Sequence, residues 1–460
     1  MRKKQDLINT LKQLAFRIKK EVDDSHSNGL IQPDEELYHR WKVDKFQYTE
    51  EGVTESPAHG EYITKKLWFR ASIRIKELIK ESDEYSSALK LLTKIVERKN
   101  KISRDLECFI RKLIFEYLDD SKFSDADVDI FVTNFLKDIR EEPLKYGAKV
   151  ELDGIVILPA RIQFKIGDTN IILRQTRIED LERELPIHGL LMSPYLPRPS
   201  AILDIEFPGR QGNEIQMKIS EAITILRLFK AASIRYTSYR MRSESITDMM
   251  ASGIVTGGRP GGVFQKGQIT GEDVEKLKRF WQIMTRTLPV SFYEFGETRL
   301  DHTVIAYKRY CDALVRGGIL ERRIANAVMG LESLFLKGGE TQELIYRLSI
   351  RIAKIFSLLK YDPYKVKEMV RDAYKVRSLF VHGDHLSYKE KRKLNDKYGD
   401  IRSFLLRLLD YLRISIIIAI FIKKEKEEFL DLIDDSLVGR DKDSQLNSLL
   451  NTARNVISGG

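Results

Sequence analysis

The spacing of apolar residues changes twice along this 460-residue chain, and no single motif constrains the fold as much. Apolar residues recur at helical spacing up to about residue 140 and again from Gly271 onward, and between those points they alternate with polar ones. Ile162, Phe164 and Ile166 alternate before Gly167-Asp168, and Ile171 to Leu173 follow as the second arm of a hairpin. Leu203, Ile205 and Phe207 alternate before the turn sequence PGRQGN, and Ile215, Met217 and Ile219 after it. Ser220 is then placed to cap a helix running to about Ala232, and SIRYTSYRMR reads as one more strand. The expected fold class is mainly α with a β-rich middle domain and a C-terminal helical bundle. Its divisions are a charged helical N-terminal region over residues 1–145, a β-rich middle over 146–270, a helical bundle over 271–440 and a loose tail over 441–460.

Within the first region, Leu7, Ile8, Leu11, Leu14 and Phe16 define an amphipathic helix. A looser segment is expected from Ser25 to His59, which holds Gly29, Pro33, Gly52 and Pro57. Helices are expected to resume over Tyr62–Lys80 and Ser86–Tyr117, and Ser124 is placed to cap another. The glycine-rich stretch around Arg259, with Gly257, Gly258, Gly261 and Gly262, lacks the GK[ST] of a phosphate-cradling loop and reads as a mobile surface loop. Later helices are expected at Glu272–Arg286, Thr298–Val315, Glu321–Leu336, Thr341–Leu359, Pro363–Val381, Asp400–Ile422 and Glu425–Ile433.

Lys and Arg total 78 against 68 Asp and Glu, a net charge of +10 that favours polyanionic partners such as RNA. The two cysteines, Cys108 and Cys311, stand far apart and suggest neither a disulfide nor a thiolate metal site, so a reducing cytoplasm is the expected compartment. The longest apolar run, Ile414–Ile422, is too short to span a bilayer. Of seven histidines only His382 and His385 are neighbours, and neither an HExxH nor a GxSxG pattern is present. No metal and no cofactor is therefore expected.

The helix expected over Pro363–Val381 carries an unusual arginine. At about 100° per residue, Val366, Val370, Ala373 and Phe380 fall within roughly 80° of one another, Met369 and Val376 extend the stripe, and Arg377 projects into it. A guanidinium there must be ion-paired or face a polar cavity. His382 follows five positions on, about 140° further round, just before Gly383, a residue suited to end the helix. Two-fold packing of this helix would gather two such pairs into one cleft, and the apolar stripe is expected to drive that association.

Arg377, four residues and His382, within VRSLFVHGD, resemble the RxxxxH motif of HEPN domains, helical ribonuclease and nucleotide-binding domains of prokaryotic defence and RNA-processing proteins. The preceding ERRIANAVMGLESLFL and ELIYRLSIRIAKIF look like the ApeA-like branch of that family, over roughly residues 300–422. The resemblance implies a regulated homodimeric endoribonuclease that cuts cellular RNA, tRNA among the candidates, in defence against phage, under a phage-derived or nucleotide trigger. It implies that His382 moves the 2′-OH proton and Arg377 steadies the charge on the phosphate, leaving 2′,3′-cyclic phosphate and 5′-OH ends. Ser378, where many active members carry Asn, Asp or His, is expected with Glu332, Asp384 and Tyr374 to support the pair. Arg371 and His385 are candidates for holding RNA, as are Tyr236, Arg240 and Arg242, expected on one face of a strand. Two alternatives stay open: a HEPN module that binds RNA or a nucleotide without catalysis, and a scaffold in which Arg377 pairs with Glu332 and His382 merely finishes its helix.

Overall fold

A computed structural model describes residues 2–55, 59–96, 101–119, 123–186, 199–248, 253–256, 264–293, 301–316, 318–422 and 424–459. The glycines at 257, 258, 261 and 262, with Arg259, lie outside the described residues. The first part of the chain forms α1 (Arg2–Ser27), β1 (Asp34–Lys42), β2 (Phe46–Thr49), β3 (Gly52–Glu55), β4 (His59–Leu67), α2 (Phe69–Lys80), α3 (Asp83–Ile95), α4 (Ile102–Asp119) and α5 (Asp125–Ile139). Leu7, Leu11, Leu14 and Ile18 of α1 are sealed against Ile75 of α2, Leu92 of α3, Phe109 of α4 and Phe135 of α5. Ser124 and Asp127 close a reciprocal capping box that starts α5.

The segment expected to be loose between Ser25 and His59 is largely strand. β1 pairs antiparallel with β4, from Asp34 opposite Leu67 to Lys42 opposite His59, and β2 pairs with β3, which begins at Gly52 with φ +113°. Gly29 and Pro33 stand before β1 rather than inside it, so they bound a strand instead of breaking one. The helix expected from Tyr62 accordingly begins at Phe69, and the single helix expected over Ser86–Tyr117 is two, α3 and α4.

The middle of the chain forms β5 (Leu144–Asp153), β6 (Ile155–Ile157), β7 (Arg161–Ile166), β8 (Thr169–Gln175), β9 (Arg183–Pro186), β10 (Ala201–Gly209), α6 (Asn213–Phe229), β11 (Arg235–Ser243), β12 (Gly253–Thr256) and β13 (Gly267–Ile269). Six of these strands make an antiparallel sheet in the order β12-β11-β5-β10-β8-β7, which contains the hairpin expected around Gly167. β9 lies outside that sheet and pairs with β1, tying the two parts together. The strand expected over Ile215, Met217 and Ile219 is instead the start of α6. Glu214 accepts the N–H groups of Arg210 and Gln211, so the PGRQGN turn leads into a helix whose Ile215, Ile219, Ala222 and Leu226 are buried at helical spacing.

The remainder is helical: α7 (Asp273–Thr287), α8 (His302–Val315), α9 (Leu320–Phe335), α10 (Leu344–Leu358), α11 (Pro363–Val381), α12 (Tyr388–Tyr398), α13 (Ile401–Phe421), α14 (Lys426–Ser436), α15 (Arg440–Leu449) and α16 (Asn451–Gly459). The protein is mainly α with a β-rich middle, as expected. The loose tail is a correction: α15 and α16 bury Leu446, Leu450, Ala453 and Val456 in the core. α6 joins sheet to bundle, because Tyr310 donates to the Arg227 carbonyl at 2.9 Å, Arg413 to that of Leu228 at 2.8 Å, and Tyr307 to Thr224 at 2.8 Å. One apolar core consequently runs from Leu144 in the sheet to Val456 in α16.

Candidate functional site

α11 is built from clear local signals. Asp362 caps it by accepting from the N–H groups of Tyr364 and Lys365, and Pro363 occupies its first position. Val366, Met369, Val370, Ala373 and Val376 are buried, and the helix packs on α9, α10 and α13. The apolar stripe is thus consumed inside the chain, and the expectation that it drives dimerisation is overturned. Phe380, expected in the stripe, is half-buried, whereas Val381 is 51% exposed beside His382, and Tyr388, at the start of α12, is 83% exposed.

The C-terminus of α11 closes with a left-handed glycine. Gly383 has φ +83°, its N–H reaches the Phe380 carbonyl at 3.2 Å, and the Asp384 N–H reaches that of Leu379 at 2.9 Å, the paired bonds of a Schellman motif. His382 is the capping residue; its own N–H bonds the Ser378 carbonyl at 3.1 Å, and its side chain is left exposed. Asp384 and His385 are exposed too, and His385 adds to the field that lowers the Glu321 carboxyl. Arg371 is exposed one turn before Tyr374.

Arg377 sits at the edge of the stripe. Its Nη2 donates to Glu332 Oε2 of α9 at 3.2 Å, with the two side chains 25% and 16% exposed. The guanidinium lies 5.7 Å from the centre of the Tyr374 ring, and its Nε is buried with no acceptor. Burial pushes the Glu332 carboxyl up, and Arg377 only partly offsets this. The Tyr374 hydroxyl is likewise pushed up by burial, with the Glu332 charge adding to it. Arg377, Glu332 and Tyr374 therefore form one cluster. His382 lies about 140° round the same helix, as its spacing dictates, and lines none of the described cavities.

A second arginine on the neighbouring helix shows what a structural guanidinium looks like in this fold. Arg351 is 1% exposed, and its Nε and both terminal nitrogens bond Asp434 at 2.8 and 2.7 Å, Glu340 at 2.9 and 2.8 Å and the Phe335 carbonyl at 2.8 Å. Its hydrogen bonds hold Glu340 down to about 2. This network was not expected from the sequence, although SIRIA places a charge in an apolar run as plainly as the Arg377 stretch does.

The other expected RNA-binding residues lie on the middle sheet. β11 pairs with β5 through a bulge between Tyr236 and Ser238, which shifts the alternation by one residue. Tyr236 therefore shares a face with Tyr239, whose ring centre is 5.4 Å away, and not with Arg240 and Arg242. This corrects the expectation of a common face. Arg242 lies against Gly147 and pairs with Glu206 at 3.1 Å, whereas Arg240 is exposed. β11 carries these residues on the sheet, whereas α11 packs on α9, α10 and α13 of the bundle.

Among the described residues no group of three or more His, Cys, Asp or Glu side chains converges in a way that could hold a metal ion, and no helix is long and apolar enough to cross a membrane. Comparison with known proteins found no matching family model, no matching curated protein and no matching solved structure.

Proposed function

We propose that the chain is a cytoplasmic, homodimeric endoribonuclease of the HEPN type that cuts cellular RNA without a metal and acts as a triggered defence effector. The observation that carries this reading is the state of Arg377. Arg351, which holds helices together, is sealed and fully bonded, whereas Arg377 is a quarter exposed and spends one terminal nitrogen on one partner at 3.2 Å, leaving the other terminal nitrogen for a ligand. Spare donors on a partly exposed planar fork suit a phosphate. Glu332 and Tyr374 position that fork from below and beside it.

His382 supplies the proton transfer. Its ring stands free at a helix end held by backbone bonds, so it is accessible to a ribose 2′-OH, and imidazole serves as base or acid near neutral pH. In the reaction His382 takes the 2′-proton, the 2′-oxygen attacks phosphorus, the P–O5′ bond breaks and the 5′-oxygen takes a proton from water to leave as a hydroxyl, giving a 2′,3′-cyclic phosphate. Arg377 stabilises the charge gathered on the non-bridging oxygens. Because the two side chains diverge on one helix, the working site draws His382 and Arg377 from a pair of chains, with Val381 and Tyr388 as the exposed apolar contacts beside it.

The reading is tested by incubating purified protein with total RNA, with and without EDTA, and identifying the ends formed. A second reading, a helical interaction scaffold in which Arg377 is structural, is favoured by the Arg377–Glu332 bond and by His382 lining none of the described cavities. Folded protein that neither cuts nor retains RNA would select it, whereas RNA retained but left intact would select a non-catalytic HEPN module.

A further inference from the structure

A cleft of about 1130 Å³ opens between α7, the end of α13 and helices α14, α15 and α16. Phe421, Leu432 and Val456 give it an apolar floor, and the side-chain amides of Gln282, Gln445 and Asn455 line its walls. Its only charged lining residues are Arg286 and Lys424; it has no carboxylate, although the chain carries 68 acidic residues. The one acid against Lys424 is Glu428, 3.6 Å away and 64% exposed, a contact worth little in water.

Lys424 also lines a second, smaller cavity of about 210 Å³, where the first residues of α8 and α14 meet. His302 and Lys426 enter it as those first residues. Its single carboxylate, Asp301, is committed to the N–H groups of Thr303 and Val304 at 2.8 Å each. Lys426 makes no ion pair among the described residues. Of the acids that feel its charge, Glu340 is held by Arg351, and Glu427 faces solvent.

The arrangement is unfavourable as it stands. Lys426 opposes the dipole of α14 from a first turn that also holds Glu427 and Glu428, and no side chain caps the helix. Burial lowers the pKa of Lys426 and of His302, and the charge of Lys426 lowers that of His302 further. Two ammonium groups, an imidazole and the uncapped N-terminus of α14 face one small space, and an anion there would satisfy them.

We propose that this double cleft binds a small organic phosphate, with the phosphate among Lys424, Lys426 and His302 and the uncharged body over Phe421 between Gln282, Gln445 and Asn455. Several positive groups in one place match a phosphate dianion better than a carboxylate. Amide walls over an apolar floor match a body that is flat and hydrogen-bonding. The site uses none of the Arg377 cluster and stands or falls independently of the ribonuclease reading.

Titration calorimetry of the full chain with inorganic phosphate, ribose 5-phosphate, AMP and adenosine tests it. The two organic phosphates should bind at least tenfold more tightly than inorganic phosphate, and adenosine more weakly than AMP. Lys426→Gln should weaken AMP and inorganic phosphate at least tenfold while the free protein melts no lower than the parent. Asn455→Ala should weaken AMP and spare inorganic phosphate. No binding by any of the four at millimolar concentration, an affinity indifferent to Lys426→Gln, or a lowered melting temperature of that free variant would each overturn the proposal.

Discussion

Arg377 and Glu332 are joined by one hydrogen bond of 3.2 Å across the α9–α11 contact, and that bond leaves most of the guanidinium uncommitted. On the adjacent helix, Arg351 spends its Nε and both terminal nitrogens on Asp434, Glu340 and the Phe335 carbonyl. The two arginines predict opposite mutational behaviour.

Arg377→Lys keeps the charge and loses the fork, so RNA cleavage should fall on the order of a hundredfold or more while the melting temperature changes little. Initial rates on a labelled RNA and a thermal melt, run on one preparation, give both numbers. A variant that unfolds readily while its folded fraction still cuts at the parent rate would make Arg377 a packing residue.

Arg351→Met should behave in reverse, destabilising the fold by about 3–5 kcal/mol because it strands Glu340 and Asp434 without their cation. Acid should reproduce part of this loss. Glu340 is depressed from about 4.5 to about 2, so its stabilisation is complete above pH 4.5 and disappears as the pH falls toward 2. Denaturant midpoints measured across that range should drop less steeply in Glu340→Gln than in the parent.

His382→Ala should abolish cleavage and leave the melt unchanged, since the side chain is exposed and the helix end is held by Gly383 and Asp384. Gly383→Ala offers a complementary probe. A side chain at φ +83° costs about 1 kcal/mol and disturbs the turn that presents the imidazole, so activity should fall with the ring still present.

Cleavage should persist in EDTA, with 2′,3′-cyclic phosphate and 5′-OH ends. Loss of activity on chelation, restored by Mg²⁺ or Mn²⁺, would move the chemistry away from Arg377 and His382.

Mixing Arg377→Ala chains with His382→Ala chains should recover part of the activity if each site draws on two chains. Light scattering at working concentrations should give twice the monomer mass, and a charge at Val381, as in Val381→Glu, should reduce both. A monomer that cuts RNA at full rate would dispose of the shared site.

How legible the molecule was in its sequence depended on where the signals were local. α11 could be read to the residue because Asp362, Pro363 and Gly383 mark its ends. The hairpin around Gly167 and the strand at Leu203 showed themselves by alternation. β1 and β4 did not, because their apolar residues are sparse and their neighbouring Gly and Pro look like loop. The bulge at Thr237 carries no glycine to announce it, so the faces of Tyr236 and Arg240 were confused. The apolar stripe of α11 was visible, but nothing in its spacing tells whether α9 or a second chain will cover it. The partial exposure of Arg377 depends on α9, which is remote in sequence and sets what the guanidinium can reach.

The core that begins at Leu144 is completed by Leu446, Leu450, Ala453 and Val456, which the sequence suggested were loosely held. That places a condition on synthesis. The sheet and the first bundle helices emerge from the ribosome with apolar surface that α15 and α16 later cover, so this core cannot close until those helices have been translated.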